Sequence, residues 1–254
     1  VTPTLQSGQV RETIKVVEVT PFRIEGKYSD FRHPDSIKFS DKLEDDLKRR
    51  DFTMNAIAYD PTKGQLIDLY KGQEDISKKV LRTVGDPHDR FAEDALRMLR
   101  AVRISTELGF TIESETAVAI QKYADLLKGI AQERIRDEFI RILMSGNPMI
   151  GIILSQKLGI LKYIAPELEA GIGIKQNQAH AFEVWEHLLR SLQHAADKNW
   201  SLEIRLSALF HDVSKPETRR VSPETKQYTF YGHEVVGSRV TKKILARMRF
   251  PVKT

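Results

Sequence analysis

The chain has 254 residues, 41% of them hydrophobic, and carries 40 Lys+Arg against 35 Asp+Glu for a formal charge of +5. That is apolar content enough for one or two domains with real cores, and a positive balance that permits an anionic partner without demanding one. The absence of cysteine excludes disulfides, thiolate metal sites and a cysteine nucleophile; no apolar run approaches the ~18 residues of a membrane span, and no signal peptide opens the chain, so a cytoplasmic protein with no membrane partner is expected.

From Val1 to about Gly85 the text is turn-rich, with short β-branched runs at Thr13–Val19 and Ala56–Tyr59. Pro21, Gly26, Asp30, Pro34, Pro61–Gly64 and Gly72 separate them, and a helix is expected at Leu43–Arg49. The opening Val1, running at once into a strand, and the closing helix-then-Pro251 suggest a chain cut or naturally split at both ends. Between about Asp86 and Gly146 the period becomes helical: Leu96, Leu99, Val102 and Leu108 recur at helical steps, as do Ile135, Phe139 and Leu143. Asp86–Pro87 and Asn147–Pro148 bracket this stretch as breakers. More helices follow, broken at Gly159, Pro166, Gly171–Gly173, Asn199, Pro216 and Pro223. The expected fold class is α+β: a partial mixed β-sheet over 1–85, a helical neck over 86–148 and a mostly helical body over 149–254.

The densest chemistry lies in two segments. One runs from Arg49 and Arg50 through Asp51 to Asn55 and Ala56; the other is Glu93-Asp94-Ala95-Leu96-Arg97, continuing to Arg100 and Arg103. On one helix, Asp94, Arg97, Arg100 and Arg103 would crowd neighbouring parts of a single face. An ordinary amphipathic helix with an exposed ion pair accounts for part of this pattern. Three arginines at three-residue spacing favour an anion site, because their mutual repulsion asks for something to neutralise it.

Arg-Arg-Asp-x-x-x-Asn-Ala, followed by Glu-Asp-x-x-Arg-x-x-Arg and by Glu-Arg-Ile-Arg-Asp-Glu at Glu133–Glu138, resembles the class II (bacterial-type) tRNA nucleotidyltransferase and poly(A) polymerase family. The resemblance implies a nucleotidyltransferase head, template-independent addition of C and/or A from CTP and ATP to the tRNA 3′ end, and catalytic Mg2+. It makes Asp94 and Arg97 the protein template for the incoming base. Cytosine and adenine each pair an exocyclic amine donor with a ring-nitrogen acceptor, which a carboxylate and a guanidinium complement; uracil and guanine reverse the pattern. It also puts Arg100 and Arg103 at the triphosphate, and Arg50 and Asp51 near ribose and phosphates. Asn55 supports that turn, and Glu93 is an alternative partner that orients Arg97. The family's Asp-x-Asp metal ligands do not occur before Glu18, which stands on the strand where the family has an acidic residue facing the metal, and Pro21 replaces a usual Thr. A separate N-terminal head polypeptide is therefore an expected partner, beside tRNA.

Five of the seven histidines fall between His180 and His233. His180, His187 and His194 are spaced by sevens, one face of one helix. Helical histidines are commonly surface or satisfied core residues, but a His joined to the doublet His211-Asp212 resembles the HD phosphohydrolase superfamily. By that match His187, His211 and Asp212, with His233 as a later ligand, would hold a divalent transition metal. Ser214 departs from the superfamily's commoner glycine, and its closing Asp is not evident. The alternatives are a poly(A) polymerase or a CC-only or A-only adding enzyme, an HD-type metal-dependent phosphohydrolase, and a non-catalytic RNA-binding module. Basic helices in neck and body would follow the acceptor stem through phosphates and A-form shape.

Overall fold

Short hairpins carry the β structure of the first stretch. In the computed structural model, which describes residues 19–26, 35–176 and 182–251, β1 (Arg23–Glu25) pairs antiparallel with β2 (Ile37–Phe39). Glu18, His33, His180 and most of the strand expected at Thr13–Val19 lie outside the described residues. Helix α1 (Leu43–Lys48) occupies the expected position, and a single 3-10 turn at Thr53–Asn55 leads into β3 (Ile57–Asp60), which folds back on β4 (Gln65–Asp68). After α2 (Gly72–Ser77), β5 (Val80–Leu81) pairs parallel with β6 (Thr111–Ile112). The β structure among the described residues is thus a set of two-stranded ladders, where the sequence suggested one mixed sheet. Strands this short are not stable as isolated hairpins. The β3–β4 ladder instead packs Ala58 and Ile67 on a small cluster of Leu47, Ala56 and Val84.

Helices then take over. Asp86 caps α3 (Pro87–Glu93) by accepting from the His88 N–H at 2.8 Å, with Pro87 in the first turn. Asp86–Pro87 therefore starts a helix, and Asn147–Pro148 does the same for α7 (Pro148–Lys157). Central α4 (Leu96–Leu108) buries Leu96, Leu99 and Val102 as the periodicity requires. It stops at Gly109, whose φ of 67° only glycine adopts freely, and this end leaves Leu108 47% exposed, outside the core that its spacing suggested. Helices α5 (Ser114–Tyr123) and α6 (Gln132–Met144) follow, α6 burying Ile135, Phe139 and Leu143. At Gly151 a Cβ would meet Ile142 and, at 2.9 Å, Thr106 Oγ1, so the missing side chain lets α7 lie close to α4 and α6.

The remainder comprises α8 (Pro166–Glu169), α9 (Val184–Asp197), α10 (Leu202–Phe210), α11 (Lys215–Thr218), the hairpin β7 (Arg220–Val221) with β8 (Tyr228–Thr229), and α12 (His233–Arg247). One hydrophobic core runs from Phe52 and Leu81 through α4, α6 and α9 to Ile244 and Met248. Among the described residues no helix is long and apolar enough to cross a membrane.

Candidate functional site

The first site gathers where α1, the turn after it, α3, α4 and α6 converge. Asp46, buried on α1, accepts from Arg49 Nε at 2.9 Å and from Arg50 Nη2 at 2.8 Å, tying both arginines to the helix they follow. Asp51 uses its two oxygens separately. Oδ1 accepts the Phe52 N–H at 2.8 Å and Asn55 Nδ2 at 3.0 Å, and Oδ2 accepts Arg100 Nε at 3.0 Å and Nη2 at 2.7 Å. Burial works against the Asp51 charge, but the Arg100 guanidinium, with the hydrogen bonds from Asn55 and Phe52, outweighs it and holds the carboxyl below its ordinary range. Arg100 is correspondingly raised: burial opposes its charge, and Asp51 and Glu138 more than offset that.

Asp94 is not on a helix face with the arginines. Its backbone is extended (φ −139°, ψ 103°) at the junction of α3 and α4, and its Oδ1 accepts the Leu96 N–H at 3.0 Å. An aspartate at that place satisfies one of the free N–H groups at the start of α4, which is why the helix begins after it. The Asp94 carboxylate pairs with Arg134 of α6, at 2.8 Å from Nη2. Arg97 is 8% exposed and donates to Glu93 Oε2 at 2.5 Å and to the carbonyls of Arg90 and Arg49, each at 3.2 Å. Arg103, also buried, lies 2.6 Å from Glu138 Oε2 and 2.8 Å from Glu107 Oε2. The mutual repulsion of Arg97, Arg100 and Arg103 is therefore met by the chain's own carboxylates, Glu93, Asp51, Glu107 and Glu138, where the sequence suggested that an outside anion was required.

The second site joins α9, the end of α10 and the start of α12. His187, His211 and Asp212 offer ligand atoms that all lie within 4.8 Å of one another. The His187 and His211 Nε2 atoms are 3.0 Å apart, and they lie 3.4 and 3.3 Å from Asp212 Oδ2. His233 reaches the other oxygen, its Nε2 3.3 Å from Asp212 Oδ1, and stands outside that trio. His194 packs edge-on against Trp200 instead.

Carbonyls fix two tautomers. His211 Nδ1 lies 3.0 Å from Ala208 O and His233 Nδ1 2.7 Å from Phe230 O; a carbonyl only accepts, so each Nδ1 carries hydrogen. Hydrogen bonding to Asp212 raises the His211 pKa against the effect of burial. Burial works to raise Asp212 and is outweighed by hydrogen bonds from His211 and Lys215, which hold its carboxyl far below the ordinary range. Two imidazoles and a carboxylate suit one transition-metal ion with open positions. Buried Lys215, 2.7 Å from Asp212 Oδ2, competes for the oxygen that the two histidines face. Ser214 donates to the His233 carbonyl at 2.6 Å and so anchors the start of α12.

Three family models match the chain: "Poly A polymerase head domain" over residues 4–82, "Probable RNA and SrmB- binding site of polymerase A" over 109–172, and "HD domain" over 184–253. It is 43% identical over 183 residues to the CCA-adding enzyme of Enterococcus faecalis, covering 69% of this chain and 45% of that one. The chain belongs to the bacterial-type CCA-adding enzyme family. It is also 38% identical over 224 residues to the A-adding tRNA nucleotidyltransferase of Deinococcus radiodurans, which takes in 85% of this chain and 51% of that one. The chain thus spans about half the length of these curated family members. Among solved structures it is similar to the Bacillus stearothermophilus CCA-adding enzyme in complex with CTP (28% identity, TM-score 0.51, 90% of this chain and 62% of that one). An apo CCA-adding enzyme at 21% identity and TM-score 0.62, over 92% of this chain and 49% of that one, shares the fold.

Within this family frame, the partners missed by sequence reasoning include Arg134, Glu138 and Lys215. The first two were legible as a polar stripe: Arg134, Glu138 and Arg141 alternate with buried Ile135, Phe139 and Leu143 along α6. Lys215 closes the His-Asp-Val-Ser-Lys run, but its i,i+3 step to Asp212 becomes a contact only through the turn that ends α10.

Proposed function

We propose that this chain carries the nucleotide-selecting and RNA-tracking parts of a tRNA 3′-end nucleotidyltransferase, adding C and/or A from CTP and ATP, with head, neck and body dividing near 85 and 148. The observation that carries the reading is the way Asp94 and Arg97 are fixed at one junction. Arg97 is held by Glu93 and two carbonyls, bonds that use three of its five N–H groups, so donors remain for a base ring nitrogen. Asp94 is held by the Leu96 N–H and Arg134 and keeps acceptor capacity for the exocyclic amine. Arg50, Asp51 and Asn55 form the turn beneath the ribose and phosphates. Arg100 and Arg103 stiffen that turn and α4 through Asp51 and Glu138, and contribute positive potential toward the triphosphate.

Mg2+ would activate the attacking 3′-hydroxyl and stabilise the departing pyrophosphate. Among the described residues the cluster of metal-ligating side chains is His187, His211 and Asp212, away from this pocket. The reading requires the family's Asp-x-Asp pair, in the same polypeptide or a separate head polypeptide. tRNA is the proposed acceptor, its stem lying along the neck and body. The names of its relatives include both A-adding and CCA-adding enzymes, so likeness does not choose between those additions.

The test is nucleotide selection. The unsubstituted chain should bind CTP and ATP in preference to UTP and GTP, and Asp94→Ala or Arg97→Ala should abolish the preference. Discrimination that survives both substitutions would sink the reading. A second reading, an HD-type metal-dependent phosphohydrolase, is favoured by the convergence of His187, His211 and Asp212 on one point. It requires those three residues and tolerates loss of Arg97.

A further inference from the structure

We infer that Arg134 is a specificity-determining positioning residue: it clamps the Asp94 carboxylate in the one orientation from which the amine of cytosine or adenine is read. The inference rests on the nucleotide reading above and adds to it the element that sets the template. Asp94 needs an external clamp because its backbone belongs to neither helix. The Leu96 N–H of α4 holds Oδ1 of this short side chain on extended backbone, and the other oxygen, Oδ2, is left to be fixed from outside the two helices. Arg134 supplies the constraint with both prongs of its guanidinium, Nη2 at 2.8 Å from Oδ2 and Nη1 at 3.4 Å from Oδ1. Such two-pronged contact fixes the plane of a carboxylate as well as its position.

The clamp is itself well founded. Arg134 lies in the first turn of α6, and the next residue, Ile135, is fully buried, as is Phe139 at 1% exposure. Its side chain is 25% exposed and that of Asp94 15%, so water competes weakly for the pair. A carboxylate accepts roughly four hydrogen bonds. The Leu96 N–H and the two Arg134 contacts occupy three of these positions and leave one direction for a ligand amine.

Arg97, by contrast, is held from the other side, by α3 and by the Arg49 carbonyl after α1. Acceptor and donor of the base-reading pair are therefore positioned by different parts of the chain. Asp94 follows α6, Arg97 follows α3 and the turn after α1, and the separation that a base must match is set by the register between them.

Calorimetric titration of the 254-residue chain with CTP and with UTP tests this, using R134M, R134K, D94A and the double variant D94A/R134M. The CTP:UTP affinity ratio should fall about tenfold in R134M, the loss of one directional hydrogen bond. It should fall less in R134K, which keeps the charge and loses the fork. In the D94A background R134M should change the ratio no further, whereas a merely structural arginine would weaken both nucleotides alike in either background. An unchanged ratio in folded R134M or R134K, or an R134M effect of equal size with and without Asp94, overturns the inference. If the unsubstituted chain shows no preference, the nucleotide reading itself has failed and this inference falls with it.

Discussion

Asp51 shows how a single side chain ties distant segments together. One oxygen closes its own turn through Phe52 and Asn55, and the other holds Arg100 of α4 across a separation of 49 residues. Replacing it by Asn leaves a partly buried guanidinium without its counter-charge, at a cost of about 2 kcal/mol at neutral pH. The pH dependence follows from the direction of the shift. The folded carboxyl titrates below its ordinary value, so its contribution is complete above ~pH 4–5 and is lost as pH falls through the folded pKa. The stability gap between wild type and Asp51→Asn should be level from neutral pH to about 5 and close under stronger acid. Thermal unfolding across pH checks this, and a gap that widens on acidification contradicts it. Local pairs such as Glu93–Arg97 were legible from their four-residue spacing. The pairs Asp51–Arg100 and Asp94–Arg134 were not, since each is made only when separate elements meet.

At the scale of elements, α10 is anchored by a buried cation held through backbone carbonyls. Arg205 is 3% exposed and donates to Leu143 O at 2.7 Å, Ser145 O at 2.9 Å and Trp200 O at 3.0 Å, carbonyls at or just beyond the ends of α6 and α9. Burial lowers its pKa, yet those helix ends carry the negative pole of the peptide dipoles and favour the charge. Arg205→Met should cost about 3 kcal/mol, because it strands several carbonyls at once. Denaturant unfolding measures the loss, and a change within about 0.5 kcal/mol, as at an ordinary surface site, would refute it. The helices themselves were readable from their period, as the burial of Leu96, Leu99, Ile135 and Phe139 shows. What period alone did not reveal was where they stop. Gly109 turns Leu108 outward, and Asp86 and Asn147 open helices at prolines that looked like breaks.

Across the whole molecule, one core runs from Phe52 to Met248 and underlies both candidate sites. The histidine trio was suggested by the resemblance of a His and a later His-Asp doublet to the HD superfamily, while the place of His233 on the far oxygen of Asp212 depended on how α12 folds back. The chain should bind about one equivalent of Co2+ or Mn2+, and His211→Ala should weaken binding at least about tenfold. Lys215→Met should strengthen it by freeing Asp212 Oδ2. Metal titration followed by elemental analysis decides this; equal binding by wild type and His211→Ala would rule out the trio as the site.

The most direct test of the central claim is nucleotide addition to a tRNA lacking its 3′ CCA, with CTP and ATP given separately and together. It should be run with the chain alone and with a head segment bearing the Asp-x-Asp pair. Incorporation of C, A or both is expected when that segment is present, confined to those nucleotides in the unsubstituted chain and no longer confined to them in Arg97→Ala. Failure of addition with the segment present and correctly folded would contradict it, and leave the histidine site as the chain's chemistry.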